Sequence, residues 1–141
     1  MSRKGFTLVE IMVVVVLAGL MSLIGFPKIR SSLLRAEVRG AVTRITAVYA
    51  SARSNAIQTN RFTTLNTAGN RIWVTVDMGG TIDTLGTVEH LDAGYGVSLN
   101  TDNSAIRLDP RGISNGSAKF LVTRADFRDS VMIGTYGSVL P

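Results

Sequence analysis

Glu10 is a carboxylate at the head of a run that water would reject: from Ile11 to Phe26 the only polar side chain is Ser22. An acidic group inside a membrane-crossing segment costs ~2.5–3.5 kcal/mol at the centre and less toward an end, so it demands both a function and a partner. Other residues that could do chemistry are sparse. His90 is the single histidine, and a metal site built on it would need Glu89 and Asp92 beside it. Three adjacent polar residues read instead as a solvated loop. Gly94-Tyr95-Gly96 and Met78-Gly79-Gly80 lack any phosphate-loop pattern and read as turns. The absence of cysteine excludes disulfides, thiolate metal sites and a cysteine nucleophile, and leaves the compartment open. No enzyme activity, cofactor or metal is expected.

The element that must position Glu10 is the N-terminal apolar segment. A secretory signal peptide has a basic n-region, an apolar core and a small-residue cleavage site after it. Arg3 and Lys4 fit the first part, but Leu23-Ile24-Gly25-Phe26-Pro27-Lys28 offers no such site. A plain membrane anchor fits the length. Phe6 to Phe26 is 21 residues, about 31 Å as a helix, against a ~30 Å hydrocarbon core. Neither reading accounts for Glu10.

Lys4-Gly5-Phe6-Thr7-Leu8-Val9-Glu10 closely resembles the N-terminal signal of type IV prepilins and pseudopilins. That signal is a short basic leader ending in Gly, an aromatic first mature residue, and Glu five positions into the mature chain. The resemblance implies a prepilin peptidase that cuts between Gly5 and Phe6 and methylates the new amine of Phe6. Cleavage would precede the apolar run and so retain it. Loss of the leader, residues 1–5, leaves 136 residues and lowers the formal charge from +5 to +3. On this family pattern Glu10 pairs with the methylated, still cationic amine of Phe6 on a neighbouring subunit. Two charges that each oppose burial are then tolerated together. Counting Lys and Arg around the span would keep the C-terminal part in the cytoplasm. The resemblance implies the reverse: an inner-membrane protein with one span and a periplasmic head, later part of a periplasmic or surface filament.

Residues 6–27 are thus expected to form the membrane and filament-core helix. Pro27 cannot donate to the carbonyl of Leu23, which predicts a kink or local loosening. Beyond it Leu34, Val38, Ala41, Ile45, Val48 and Ala52 recur at spacings of 4, 3, 4, 3 and 4, an amphipathic stripe that carries helix to about Ile57 within residues 28–60. Its other faces carry Arg35, Arg39, Arg44 and Arg53. Such a face could neutralise nucleic-acid phosphates, but Arg30, Arg35 and Arg39 lie just past the span, where anionic headgroups attract basic residues at ~1 kcal/mol each.

Residues 61–141 read as short strands between Gly, Asn and Asp turns. Strands are expected at Arg61–Leu65, Arg71–Asp77, Val97–Asn100, Ala105–Asp109, Lys119–Thr123 and Ser130–Thr135, with Thr81 to Gly96 giving no clear period. Trp73 falls on an alternating strand, in the core or on the sheet surface. Asn115-Gly116-Ser117 fits a glycosylation sequon, although Asn-Gly is first a hairpin turn. The fold class is α+β: one long helix packed on an antiparallel sheet head of six or seven strands.

Ile106-Arg107-Leu108-Asp109-Pro110-Arg111-Gly112, then Lys119-Phe120-Leu121-Val122 and Val131-Met132-Ile133-Gly134-Thr135-Tyr136-Gly137, resemble the GspH/FimT group of minor pseudopilins and minor pilins. Major pseudopilins of this superfamily can bind calcium in a C-terminal loop. Asp126 and Asp129 could serve such a site, but Arg124 and Arg128 offset their charge. The resemblances imply a minor subunit of a type II secretion or type IV pilus filament, with prepilin peptidase, other pilins or pseudopilins and the inner membrane as partners. The alternative is a DNA-binding minor pilin of a competence pilus. It is weakened because the chain ends four residues after Gly137, without an extended basic tail.

Overall fold

A computed structural model describes residues 5–140. Most of the expected leader, residues 1–4 with Arg3 and Lys4, lies outside the described residues. Helix α1 runs from Leu8 to Thr59 and passes through two compact units that divide between Leu33 and Leu34.

In the first unit the helix carries its apolar side chains outward. Ile11, Val14, Leu17 and Leu20 are all more than half exposed. The segment is long and apolar enough to cross a membrane. Within it Ser22 donates its hydroxyl to the carbonyl of Ala18 at 2.8 Å, so the one hydroxyl is satisfied inside the helix.

The second unit is built on the other half of α1. Val38, Ala41, Ile45, Tyr49, Ala52 and Ala56 are buried along one stripe, the face expected for a period near 3.6. Against it, among the described residues, lie eight strands in two antiparallel sheets, where a single sheet of six or seven was expected. The strands are β1 (Thr63–Ala68), β2 (Arg71–Asp77), β3 (Ile82–His90), β4 (Ser98–Thr101), β5 (Ala105–Leu108), β6 (Ala118–Arg124), β7 (Phe127–Ile133) and β8 (Val139–Leu140), with a short helix α2 (Leu91–Tyr95) between β3 and β4. One sheet has the order β3-β2-β1-β5, the other β4-β6-β7-β8. A single core joins the helix stripe to Leu65, Ile72 and Ile106 of the first sheet and Phe120, Val122 and Ile133 of the second. Each fully buried side chain of this size contributes about 1.5–3 kcal/mol, which is why the inward alternation is kept on both sheets.

Several boundaries move from their expected places. β1 begins at Thr63 and runs to Ala68, because Thr63 and Thr67 are buried beside Leu65 and carry the inward period without being apolar. β7 starts at Phe127, since the β6–β7 ladder closes at Arg124 opposite Phe127 and leaves Ala125-Asp126 as a two-residue turn. Trp73 points to the outer face of β2, half-buried, between inward Ile72 and Val74.

Candidate functional site

The segment that carries the expected processing and assembly residues is Gly5 to Glu10. A Cβ added at Gly5 would meet nothing within 4 Å among the described residues. Phe6 is 78 % exposed.

Thr7 and Glu10 form the start of α1 together. The Glu10 N–H donates to Thr7 Oγ1 at 3.2 Å, and the Thr7 N–H donates to Glu10 Oε2 at 3.5 Å. This reciprocal pair is a capping box, and it satisfies amides that the first helical turn leaves without partners. The negative charge also lies at the positive end of the helix dipole. Thr7 was missed as a site residue, although Thr7-Leu8-Val9-Glu10 spells the [ST]-x-x-E pattern that signals such a cap. Glu10 itself is exposed, with its second carboxylate oxygen free of the capping contact.

In the second unit the charged residues bind the head to its helix. Arg44 pairs with Glu89, and the hydrogen bond from that guanidinium holds the Glu89 carboxyl below the usual carboxylate range. Glu89 is thus engaged by arginine, apart from any ligand set with His90 and Asp92. Arg124 reaches Glu37 at 2.7 Å and donates to the carbonyl of Tyr95. It therefore offsets Glu37, whereas the sequence reading assigned it to Asp126 and Asp129. Arg35 stacks over Phe127 at 4.9 Å, and Arg107 over Phe62 at 4.3 Å. Arg35 and Arg44, two of the cations that could have formed a phosphate-binding face, are drawn into local contacts with an aromatic ring and a carboxylate. Arg53, placed on an outer face by its spacing, turns into the head, where its Nε is sealed from solvent.

The Asp109-Pro110-Arg111-Gly112 turn is held by its first residue. Asp109 Oδ1 accepts the N–H groups of Arg111 and Ile113, each at 2.9 Å. The Ile113 amide, ahead of the Arg111 side chain, keeps this carboxyl low in pKa. Gly112 and Gly137 close their bends at φ of 76° and 81°, a region that favours glycine.

Residues 1–26 match the prokaryotic N-terminal methylation motif. Residues 41–137, more than half of the chain, match the family of type II transport protein GspH. No curated protein sequence matches the chain significantly. Among solved structures, the type IV minor pilin FimU of Pseudomonas aeruginosa is similar at 16 % identity and a TM-score of 0.60, over 75 % of this chain and 88 % of that one. The minor pseudopilin EpsH from the Type 2 Secretion System of Vibrio cholerae is similar at 9 % identity and a TM-score of 0.61, over 74 % and 94 %. At these identities the likeness is one of fold.

Proposed function

The chain belongs to the type II transport protein GspH family, and on that footing we propose that it works as a minor pseudopilin, a structural subunit of a short filament rather than an enzyme. The observation that carries this reading is the joining, in one chain, of an N-terminal methylation motif over residues 1–26 to a GspH region over residues 41–137. Prepilin peptidase cuts between Gly5 and Phe6 and methylates the new amine. The apolar half of α1 then holds the subunit in the inner membrane, with the head in the periplasm, until it is drawn into the filament.

Glu10 acts at two stages in this scheme. Before assembly its carboxylate caps α1 through Thr7. In the filament it meets the methylated amine of Phe6 on a neighbour, where a low dielectric strengthens their attraction and makes either charge alone costly. Pro27 lacks an N–H for the helix ladder, so α1 loosens there most readily as subunits pack.

Membrane fractions and sheared filaments from cells producing the chain with its assembly machinery test the assignment. Glu10→Leu is expected to insert into the membrane as well as the native chain but to enter filaments poorly. Equal incorporation would overturn the role given to Glu10. DNA binding is tested alongside by gel shift of the full chain with duplex DNA. Salt-sensitive binding would favour a DNA-uptake pilin instead.

A further inference from the structure

Arg53 is a cation that the fold buries in part, with no counter-charge among the described residues. Its side chain passes between the bends at Gly112 and Gly137, where a Cβ on either residue would collide with it. Its Nε is inaccessible and has no hydrogen-bond partner. One turn earlier on α1, the Tyr49 hydroxyl is in the same condition, on a side chain only 1 % exposed. Burial raises the Tyr49 pKa and outweighs the neighbouring Arg53 cation, so this phenol keeps its proton and remains a donor. Among the described residues, no carboxylate lies within ion-pairing distance of Arg53.

Two donors at positions i and i+4 thus lack an acceptor among the described residues. Buried N–H and O–H groups without partners oppose folding, and native structures rarely leave them so. A cleft of about 330 Å³ opens at this place, lined by Tyr49, Arg53, Ile57, Gly137 and Val139. Its apolar members stay open to solvent: Ile57 is 50 % exposed and Val139 37 %, and nearby in the chain Tyr136, beside Gly137, and Leu140, beside Val139, are 80 % and 55 % exposed. A half-buried arginine ringed by apolar and aromatic surface has the composition of an interface hot spot.

The chemistry selects the ligand. A guanidinium presents a planar fork that fits the two oxygens of a carboxylate, and a single cation in apolar surroundings balances one negative charge rather than the two of a phosphate monoester. We propose that the cleft between α1 and the β7–β8 hairpin receives a Glu or Asp side chain, flanked by apolar residues, from a neighbouring subunit of the filament. Arg53 forms the ion pair and Tyr49 donates its hydroxyl to the same carboxylate. The neighbour as source rests on the filament reading, while the carboxylate chemistry rests on the cleft alone.

Arginine Nε–H resonances of the full mature chain in detergent micelles provide the test, with Ac-Leu-Glu-Leu-amide and Ac-Leu-Gln-Leu-amide as probes. The Arg53 signal, identified by its loss in Arg53→Lys, is expected to shift saturably with the glutamate peptide. The glutamine peptide is expected to bind about 10-fold or more weakly, since it cannot form a charge-assisted pair. Tyr49→Phe is expected to weaken the glutamate peptide by ~2- to 10-fold through one lost hydrogen bond. Because the deciding comparison uses the native chain with two peptides, a misfolded variant does not affect it. Equal affinities, or no saturable shift, would overturn the proposal. The mass of the N-terminus is read on the same preparation. A processed Phe6 terminus without peptide binding sinks the cleft and leaves the filament reading standing. Peptide binding by a chain that cells leave unprocessed removes the filament neighbour as the source, and the proposal as stated with it.

Discussion

Glu10 has one partner in the fold, the Thr7 amide; in the filament we propose, the amine that cleavage would create on Phe6 of a neighbouring subunit is the second. The position of Glu10 was legible from residue type and offset, and Thr7 was legible too, through the capping pattern. Arg53 was not. Spacing places it beside Arg44 as one of several basic residues, and only the approach of two glycine bends turns it inward. The Arg44–Glu89 pair carries a testable pH dependence. The folded pKa of Glu89 lies below its unfolded value, so the native state binds fewer protons. Its stabilisation is complete above the unfolded value and is lost as pH falls through the folded one. Asp109 acts in the same direction. Thermal unfolding between pH 7 and pH 3 is therefore expected to show stability falling below a pH of about 4. Glu89→Gln is expected to flatten part of that fall by less than about 1 kcal/mol, since the Arg44 side chain is 45 % exposed and screened by solvent.

Among the elements, the amphipathic half of α1 could be read closely from sequence because each inward position is apolar at a regular spacing. Ile45 sits at the centre of that stripe with no exposed surface. Ile45→Ala is expected to cost ~2–5 kcal/mol through lost burial and a residual cavity, measured by denaturant unfolding. β2 was equally legible, since Ile72, Val74 and Val76 alternate inward. β3 was not, and the cause is its place at the sheet edge. It is exposed on both faces, with Ile82 74 % and Val88 40 % exposed, so no alternation records a buried side. Gly86 at φ 75° and a shifted register opposite Ile72 to Val74 interrupt the period further. The β6–β7 hairpin hid its turn differently. Ala125 occupies φ 50°, a conformation that sequence signals associate with Gly or Asn. Ala125→Gly is expected to stabilise the head by about 0.5–1 kcal/mol. A lower midpoint in urea would contradict this account of the turn.

For the whole molecule, two kinds of surface divide the work. Between Glu10 and Lys28, α1 is apolar in sequence apart from Ser22, long and apolar enough to cross a membrane. The head packs two sheets and one core against one face of its half of the same helix, and leaves ion pairs, turns and the Arg53 cleft for contacts. The family was legible at the N-terminus because processing fixes residue types at fixed offsets. Head topology was less so, because short strands with buried threonines obey packing that a single sequence does not display. Intact mass spectrometry of the chain purified from cells that carry prepilin peptidase tests the central claim most directly. A chain that begins at N-methylated Phe6, with Gly5→Ala retaining its leader, is the result expected. A native chain beginning at Met1 or Ser2, or a Gly5→Ala chain cleaved as usual, would contradict it.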